Sequence, residues 1–122
     1  MAKAPAPLEI DIQAEFRKRL YYTAPRVKVV AIPNAGRRTR WEIWQAKKEG
    51  LATGFPDVMA VWPGAGVAFI EFKRPGGVTS DNQDEWHQRL TVMGHQVCVA
   101  FSVDQAVEFL RQCGAPVMER AA

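Results

Sequence analysis

The sequence predicts an α/β fold in which helices flank a four-stranded mixed sheet, with the elements in the order α-β-α-β-β-α-β-α. Apolar residues recur at four-residue spacing near the start of the chain, and two apolar segments flank a Pro-Gly turn near its middle. A third apolar segment, typical of a buried strand, precedes an amphipathic helix near the end. Helical and strand patterns that alternate in this way are typical of layered α/β domains. The length of 122 residues suits one domain with a single core.

Each element in this order has its own local signal. Ile12, Phe16 and Leu20 are four residues apart, which indicates the first helix, and a β-branched run after it indicates the first strand. Pro63-Gly64 joins two apolar segments into a hairpin. The predicted elements are a helix over 8–22, a strand over 27–32, a helix over 40–49, a hairpin over 58–73, a helix over 81–93, a strand over 96–101 and a helix over 103–112.

Two of the predicted helices begin with capping signals. Thr39 and Glu42 have the spacing of a capping box, and Ser80 and Gln83 have the same spacing. Gly50 follows the second helix as its stop signal. The third helix also carries an apolar stripe, which we expect to face the sheet and which includes Gln83, Trp86, Leu90 and Met93.

Three charged residues lie at one end of the predicted hairpin. Glu71 and Lys73 are two apart, so they share a face of the strand and lie about 7 Å apart along it. Asp57 precedes the first strand and lies at the same end if the two strands pair. Two carboxylates suit a Mg²⁺ ion, which prefers oxygen ligands, and an ammonium group can neutralise charge on an attacked phosphodiester. From these residues alone, a salt bridge on a solvated edge hairpin is an equal alternative.

Five blocks of sequence, in this order, resemble the VRR-NUC branch (virus-type replication-repair nucleases) of the PD-(D/E)XK nuclease superfamily. Together they span about residues 8–112. The blocks are Glu9-Ile10-Asp11-Ile12-Gln13, Ile32-Pro33-Asn34-Ala35-Gly36-Arg37-Arg38, Gly50-Leu51-Ala52-Thr53-Gly54-Phe55-Pro56-Asp57, Glu71-Phe72-Lys73, and Ser80-Asp81-Asn82-Gln83-Asp84-Glu85-Trp86 with Leu90 and Gly94. A lone Pro-Asp and Glu-x-Lys pair is a weak signal, whereas five blocks in order form a specific one.

The resemblance implies a PD-(D/E)XK-type core and a metal-dependent DNA endonuclease that hydrolyses phosphodiester bonds with Mg²⁺ or Mn²⁺. It assigns Asp57, Glu71 and the main-chain carbonyl of Phe72 to the ion. Lys73 would orient the attacking water. These four residues form the centre of the expected site.

Gln83 and Glu9 are expected to support this site from neighbouring helices, and each also has a structural explanation. The resemblance places a glutamine at the active site where Gln83 stands, but Gln83 can instead serve only as a helix cap. Glu9 matches an acidic residue of the branch's first helix, which implies a role in positioning metal or water. A carboxylate at a helix start is also stabilised by the helix dipole.

The charge is distributed unevenly along the chain, and this favours a nucleic-acid partner. Residues 1–50 have a net charge of +6, from 11 Lys/Arg and 5 Asp/Glu, whereas residues 51–122 have a net charge of −3. We therefore expect the basic half to contact phosphates and the acidic half to hold the ion. The residues expected to contact DNA are Asn34, Arg37, Arg38, Arg40 and Arg74.

Small members of this branch are similar to junction resolvases, so the resemblance implies a homodimer that acts on branched DNA such as a Holliday junction. Cutting would then be selective for DNA structure rather than sequence. Trp41 and Trp44, three apart on a short helix, are more typical of a core or a dimer contact than of base stacking. Two alternatives stay open: a catalytically silent nuclease fold that binds DNA or a partner, and a nuclease subunit of a larger complex.

Residues 1–7 are predicted to form a flexible leader, and residues 8–122 a single nuclease domain. The leader lacks the apolar core of a signal peptide. Cys98 and Cys113 have neither the spacing of a metal site nor the number of a disulfide framework. These features predict a protein of the cytoplasm with no membrane partner. The resemblance implies that the cell is a bacterium or a phage-infected host, and that no organic cofactor is needed.

Overall fold

A four-stranded mixed sheet flanked by helices forms the centre of the computed structural model, which describes residues 7–33 and 39–118. Within those ranges the elements are α1 (Glu9–Thr23), β1 (Lys28–Ala31), α2 (Arg40–Glu49), β2 (Val58–Trp62), β3 (Gly66–Phe72), α3 (Asp81–Val92), β4 (Gln96–Ala100) and α4 (Val103–Gln112). The predicted fold class and element order are confirmed, with helix and strand ends that differ from prediction by at most one residue. No helix in the described ranges is long and apolar enough to cross a membrane.

Part of the predicted binding surface cannot be compared with the structure. The expected DNA contacts Asn34, Arg37 and Arg38 lie outside the described residues. The predicted leader also lies outside them, apart from Pro7.

The strands follow chain order across the sheet, β1-β2-β3-β4. The pairs β1–β2 and β2–β3 are antiparallel, whereas β3–β4 is parallel. A parallel pair needs a crossover connection, and α3 supplies it. The charged hairpin therefore consists of the two inner strands, and the alternative of a solvated edge hairpin is wrong.

The turn between β2 and β3 sets the register that brings the charged residues together. Ala65 has a left-handed backbone, with φ of 63°. A Cβ atom on Gly66 would lie 2.0 Å from the Trp62 indole, so the close packing of this ring requires glycine. With this turn in place, Val58 pairs with Ile70. The start of β2 and the end of β3 thus meet at the end of the sheet opposite the turn.

One face of the sheet is apolar and packs against α1 and α4. Alternate strand residues point to this face because strand side chains alternate. Phe16 of α1 contacts Phe72 of β3, with ring centroids 5.3 Å apart and planes tilted by 56°. Other members of this core are Ile12, Leu20, Val58, Ala60, Ala68, Ile70, Ala100, Ala106, Val107 and Leu110. Burial of these side chains is the main favourable contribution to folding on this side.

The opposite face of β3 carries Phe69 and Glu71 and packs toward α3. Phe69 contacts Phe55, with ring centroids 5.5 Å apart, and Phe55 stacks on Trp86 of α3 at 5.0 Å. The predicted stripe on α3 is therefore present at Trp86. It does not continue to Met93, which follows the last residue of α3 and is exposed.

Helix α2 is well capped, but only a small part of its surface contacts the rest of the domain. The predicted capping box between Thr39 and Glu42 is present. Ala46 is the residue of α2 that is buried. Trp41 and Trp44 are 65% and 54% exposed, so the alternative that they belong to the core is wrong.

Candidate active site

A cleft of about 580 Å³ opens at the end of the sheet where β2 begins and β3 ends. Its walls come from the start of α1, the approach to β2, the end of β3 and the segment that leads into α3. The lining residues are Glu9, Thr53, Gly54, Asp57, Glu71, Lys73, Val78, Thr79, Ser80 and Gln83. The five residues predicted to be catalytic are all among them, so the structure brings them to one place.

The approach to β2 is held tightly against α3. Gly54 has φ of +89°, and a Cβ atom on it would lie 2.5 Å from the carbonyl carbon of Asn82. Glycine is required here both by the backbone conformation and by the space. The neighbouring Phe55 stacks on Trp86, with planes 10° apart. These contacts fix the position of the next charged residue, Asp57.

Asp57 joins the two strands of the hairpin at the mouth of the cleft. Its Oδ2 atom accepts a hydrogen bond of 2.8 Å from the Phe72 backbone N–H. Its own carbonyl accepts a hydrogen bond of 2.8 Å from the backbone N–H of Ile32, just after β1. The Asp57 carboxylate is thus fixed beside the end of β3.

Glu71 is buried, with 1% of its surface exposed, and is the one charged residue in the described ranges that is buried to this degree. Burial, the negative charge of Asp57 and a hydrogen bond to Asp57 raise the pKa of Glu71 to about 9, and the charge of Glu9 adds to the rise. The positive charge of Lys73 opposes this rise. In the metal-free protein Glu71 therefore holds a proton at neutral pH, and a cation placed beside both carboxyl groups would replace it.

His87 lies beside Glu71, although it was not among the site residues predicted from the sequence. Its Nε2 atom lies 3.8 Å from Glu71 Oε1, and its side chain is 15% exposed. Burial lowers the pKa of His87, and the negative charges of Asp84 and Asp57 oppose that shift. A signal was present in the sequence, because His87 follows Gln83 by four residues and shares its face of α3.

Lys73 follows β3 directly and lines the cleft. Its backbone N–H donates a hydrogen bond of 3.0 Å to the carbonyl of Ala100, which fixes the chain at the point where β3 ends. Its ammonium group acts on the pKa of Glu71, so the two side chains interact electrostatically. The predicted convergence of a lysine and two carboxylates at one strand end is thus present.

Gln83 and Glu9 both line the cleft, and each also has the structural role foreseen for it. Gln83 Oε1 accepts a hydrogen bond of 2.9 Å from the Ser80 N–H, which completes a capping box at the start of α3. Glu9 is the first residue of α1. For neither residue does a structural role exclude a role in the site, because both side chains reach the cleft.

The two expected DNA contacts that the structure describes lie outside the cleft. Arg74 is exposed and follows Lys73, and Arg40 is exposed at the start of α2. Neither lines the cleft wall. Their positions suit contact with a long polyanion better than contact with the reacting phosphate.

The donor set fits a metal ion that keeps some ligands from solvent or substrate. In the ranges 7–33 and 39–118, no three His, Cys, Asp or Glu side chains converge closely enough to hold an ion by themselves. Asp57 and Glu71 supply two carboxylates, and the end of β3 offers the carbonyl of Phe72. Mg²⁺ is usually bound by one or two carboxylates and retains water or phosphate oxygens in its other positions.

Comparisons with known proteins point to one family. The profile of the VRR-NUC domain matches residues 5–104 of the chain. A solved structure described as a VRR_NUC domain superposes with a TM-score of 0.61 at 20% sequence identity, and the match covers 84% of this chain and 94% of that one. At this identity the structural match concerns the fold alone. No curated protein matches the chain.

Proposed function

The chain belongs to the VRR-NUC family and has a nuclease-type core, and on that premise we propose that it is a metal-dependent endonuclease that hydrolyses phosphodiester bonds in DNA. The observation that carries the proposal is the buried Glu71 carboxyl beside Asp57 in an open cleft. Burial of a carboxyl group next to a second one costs free energy, and groups perturbed in this way cluster at functional sites.

Asp57, Glu71 and the main-chain carbonyl of Phe72 would hold a Mg²⁺ or Mn²⁺ ion. Such an ion, when bound, lowers the pKa of a coordinated water and stabilises charge on the attacked phosphate. Glu71 must lose its proton for this role, because only the carboxylate is a good ligand. The hydrogen bond that Asp57 accepts from the Phe72 N–H fixes one of these carboxylates before the ion binds.

Lys73 would orient the attacking water and neutralise charge that develops on the phosphate. Gln83 would contribute its amide N–H groups to the cleft, since its Oε1 atom already accepts a hydrogen bond from Ser80. Glu9 would add a third negative charge at the cleft wall and help to position water. All three side chains line the cleft.

We further propose a homodimer that cuts branched DNA, including Holliday junctions, by recognising DNA structure. The exposed Trp41 and Trp44 on α2 are the proposed contact between the two copies. A twofold dimer would place two sites with the symmetry of a junction. Sedimentation at micromolar concentration should show a dimer for the wild type and a monomer for Trp41→Ala/Trp44→Ala. A wild type that sediments only as a monomer, with or without DNA, would refute this assembly.

The central test is a cleavage assay with the purified chain on linear, flap and four-way junction DNA, with Mg²⁺ or Mn²⁺. We expect cleavage that depends on the ion and is greatest on a branched substrate. Cleavage that survives thorough chelation would refute the metal mechanism. DNA binding without cleavage under every condition would support a catalytically silent module instead, and activity that appears only with added partners would support a subunit of a larger complex.

A further inference from the structure

We propose that His87 is a positioning residue, which holds the Glu71 carboxylate in the orientation that the metal ion requires by donating an Nε2–H hydrogen bond to Oε1. This inference rests on the proposed function of the cleft. His87 lies beside Glu71 and has no other role in the proposed hydrolysis.

The first argument comes from the two atoms themselves. Glu71 Oε1 and His87 Nε2 are 3.8 Å apart, and both are buried. Neither atom has a hydrogen-bond partner in the part of the chain that the structure describes. Two buried polar atoms that face each other without partners are rare, because each loses its hydrogen bonds to water. A hydrogen bond between them requires an approach of less than about 1 Å, which a small rotation of the Glu71 side chain supplies.

The second argument is that the α3 backbone is fixed at the position that carries His87. Trp86, the preceding residue, stacks on Phe55, and Arg89 lies over the Trp86 ring at 5.2 Å. The His87 carbonyl accepts a hydrogen bond of 2.8 Å from Thr91 Oγ1. These contacts fix the α3 backbone at His87, and the His87 side chain is mostly buried, with 15% of its surface exposed.

The third argument is that the two carboxyl oxygens of Glu71 would have different partners. Glu71 Oε1 lies 3.8 Å from His87 Nε2, whereas Asp57 and Glu71 both line the cleft. A hydrogen bond from His87 to Oε1 would then leave the other oxygen directed at the ion. Carboxylate ligands are commonly fixed in this way by a hydrogen bond from outside the metal site.

The test compares three variants by metal affinity as well as by cleavage. His87→Phe keeps the bulk of the ring and removes the donor, and His87→Gln keeps a donor. His95→Gln is the matched control, because His95 is the other histidine of the chain and is exposed. His95 precedes Val99, the β4 partner of Glu71, by four residues, which corresponds to about 13 Å along the strand direction. Calorimetric titration with Mn²⁺ gives the affinity, and melting without metal reports whether each variant is folded.

We expect His87→Phe to bind Mn²⁺ about 10- to 100-fold more weakly than the wild type, with a matching rise in the ion concentration needed for half-maximal cleavage. His87→Gln should recover most of the affinity, and His95→Gln should match the wild type. A His87→Phe protein that binds Mn²⁺ as tightly as the wild type would overturn the inference. Failure of His87→Gln to recover affinity would overturn it too, because the loss of affinity in His87→Phe could then not be attributed to the missing hydrogen-bond donor. A wild type that binds Mn²⁺ but cuts no DNA would instead sink the proposed function alone.

Discussion

The two faces of the sheet differ in what they bury. The face toward α1 and α4 buries apolar side chains alone, with Phe16 against Phe72 near its centre. The face toward α3 buries the carboxyl group of Glu71 beside the imidazole of His87. Burial of unpartnered polar groups costs free energy, whereas apolar burial supplies it. The side chains that contribute most to stability therefore lie on one face, and the charged side chains of the candidate site lie on the other. Substitutions should be able to change stability and activity separately.

The largest effect is expected on the apolar face. Phe16→Ala should reduce the free energy of unfolding by about 3–5 kcal/mol, because Phe16 is fully buried and its removal leaves a cavity. Denaturant unfolding of the metal-free protein measures this. The control is Tyr21→Ala on the same helix, an exposed position where a change within about 0.5 kcal/mol is expected. A loss below about 1 kcal/mol for Phe16→Ala would contradict the assignment of the core.

Substitution of Glu71 is expected to have the opposite effect, a loss of activity without a loss of stability. Glu71→Gln should reduce cleavage by about 100-fold or more, because a group that stabilises charge in the reaction is lost. Its stability without metal should equal or exceed that of the wild type, since glutamine mimics the protonated carboxyl group that the fold already accepts. Cleavage rates and denaturant unfolding of the same preparation test both parts. Residual activity above about a tenth of wild type would refute the catalytic assignment.

A smaller effect is expected from pH. The pKa of Glu71 rises from 4.5 to about 9 on folding, so between these values the folded protein keeps a proton that the unfolded chain releases. The free energy of unfolding should therefore fall as pH rises, by up to about 1.4 kcal/mol per pH unit. In the range from pH 7 to 8.5 the lowered pKa of His87 does not contribute, because it acts below its ordinary 6.5. The raised pKa values of Cys98 and Cys113 act mainly above this range. Metal-free wild type should lose stability over this range, and Glu71→Gln should lose much less. Parallel pH profiles for the two proteins would show that the buried carboxyl group is not responsible.

The smallest effect is expected from Asp57→Asn. Asparagine can still accept the hydrogen bond from the Phe72 N–H, so the stability of the metal-free protein should be unchanged or higher. The variant should lose most of the stabilisation by added metal, which amounts to about 1.4 kcal/mol when the ion is in tenfold excess over its Kd. Melting curves with and without millimolar Mg²⁺ or Mn²⁺ measure the difference. A variant that is less stable without metal and keeps the full metal-induced rise would show that Asp57 serves only the fold.

The fold and the centre of the site could be predicted because their signals are local. The capping boxes at Thr39 and Ser80 fix helix starts within four residues. The hairpin places Asp57 opposite the end of β3 through one tight turn. The strand period then puts Glu71 and Lys73 at the same end, so the convergence of these charges follows from the sequence pattern.

The rest could not be predicted because it depends on packing between distant segments. His87 lies against Glu71 only because α3 covers the second face of β3, and the sequence pattern does not say which residue of β3 a side chain of α3 will meet. The exposure of Met93 depends on how far along α3 the contact with the sheet extends. The exposure of Trp41 and Trp44 depends on how little of α2 contacts the domain. In each case the helix was foreseen and its tertiary contacts were not.

Both carboxyl groups belong to one hairpin, so they can come together before the sheet is complete. Asp57 and its partner Phe72 are 15 positions apart, and hairpins form in about 1–10 μs. The parallel pairing of Glu71 with Val99 must wait for the longer crossover through α3. We therefore expect Glu71 to be still in water and ionised when the hairpin forms, and to take up its proton as α3 docks. The refolding rate of the metal-free wild type, followed by tryptophan fluorescence in a stopped-flow instrument, should therefore fall between pH 7 and 8.5, while that of Glu71→Gln should stay constant.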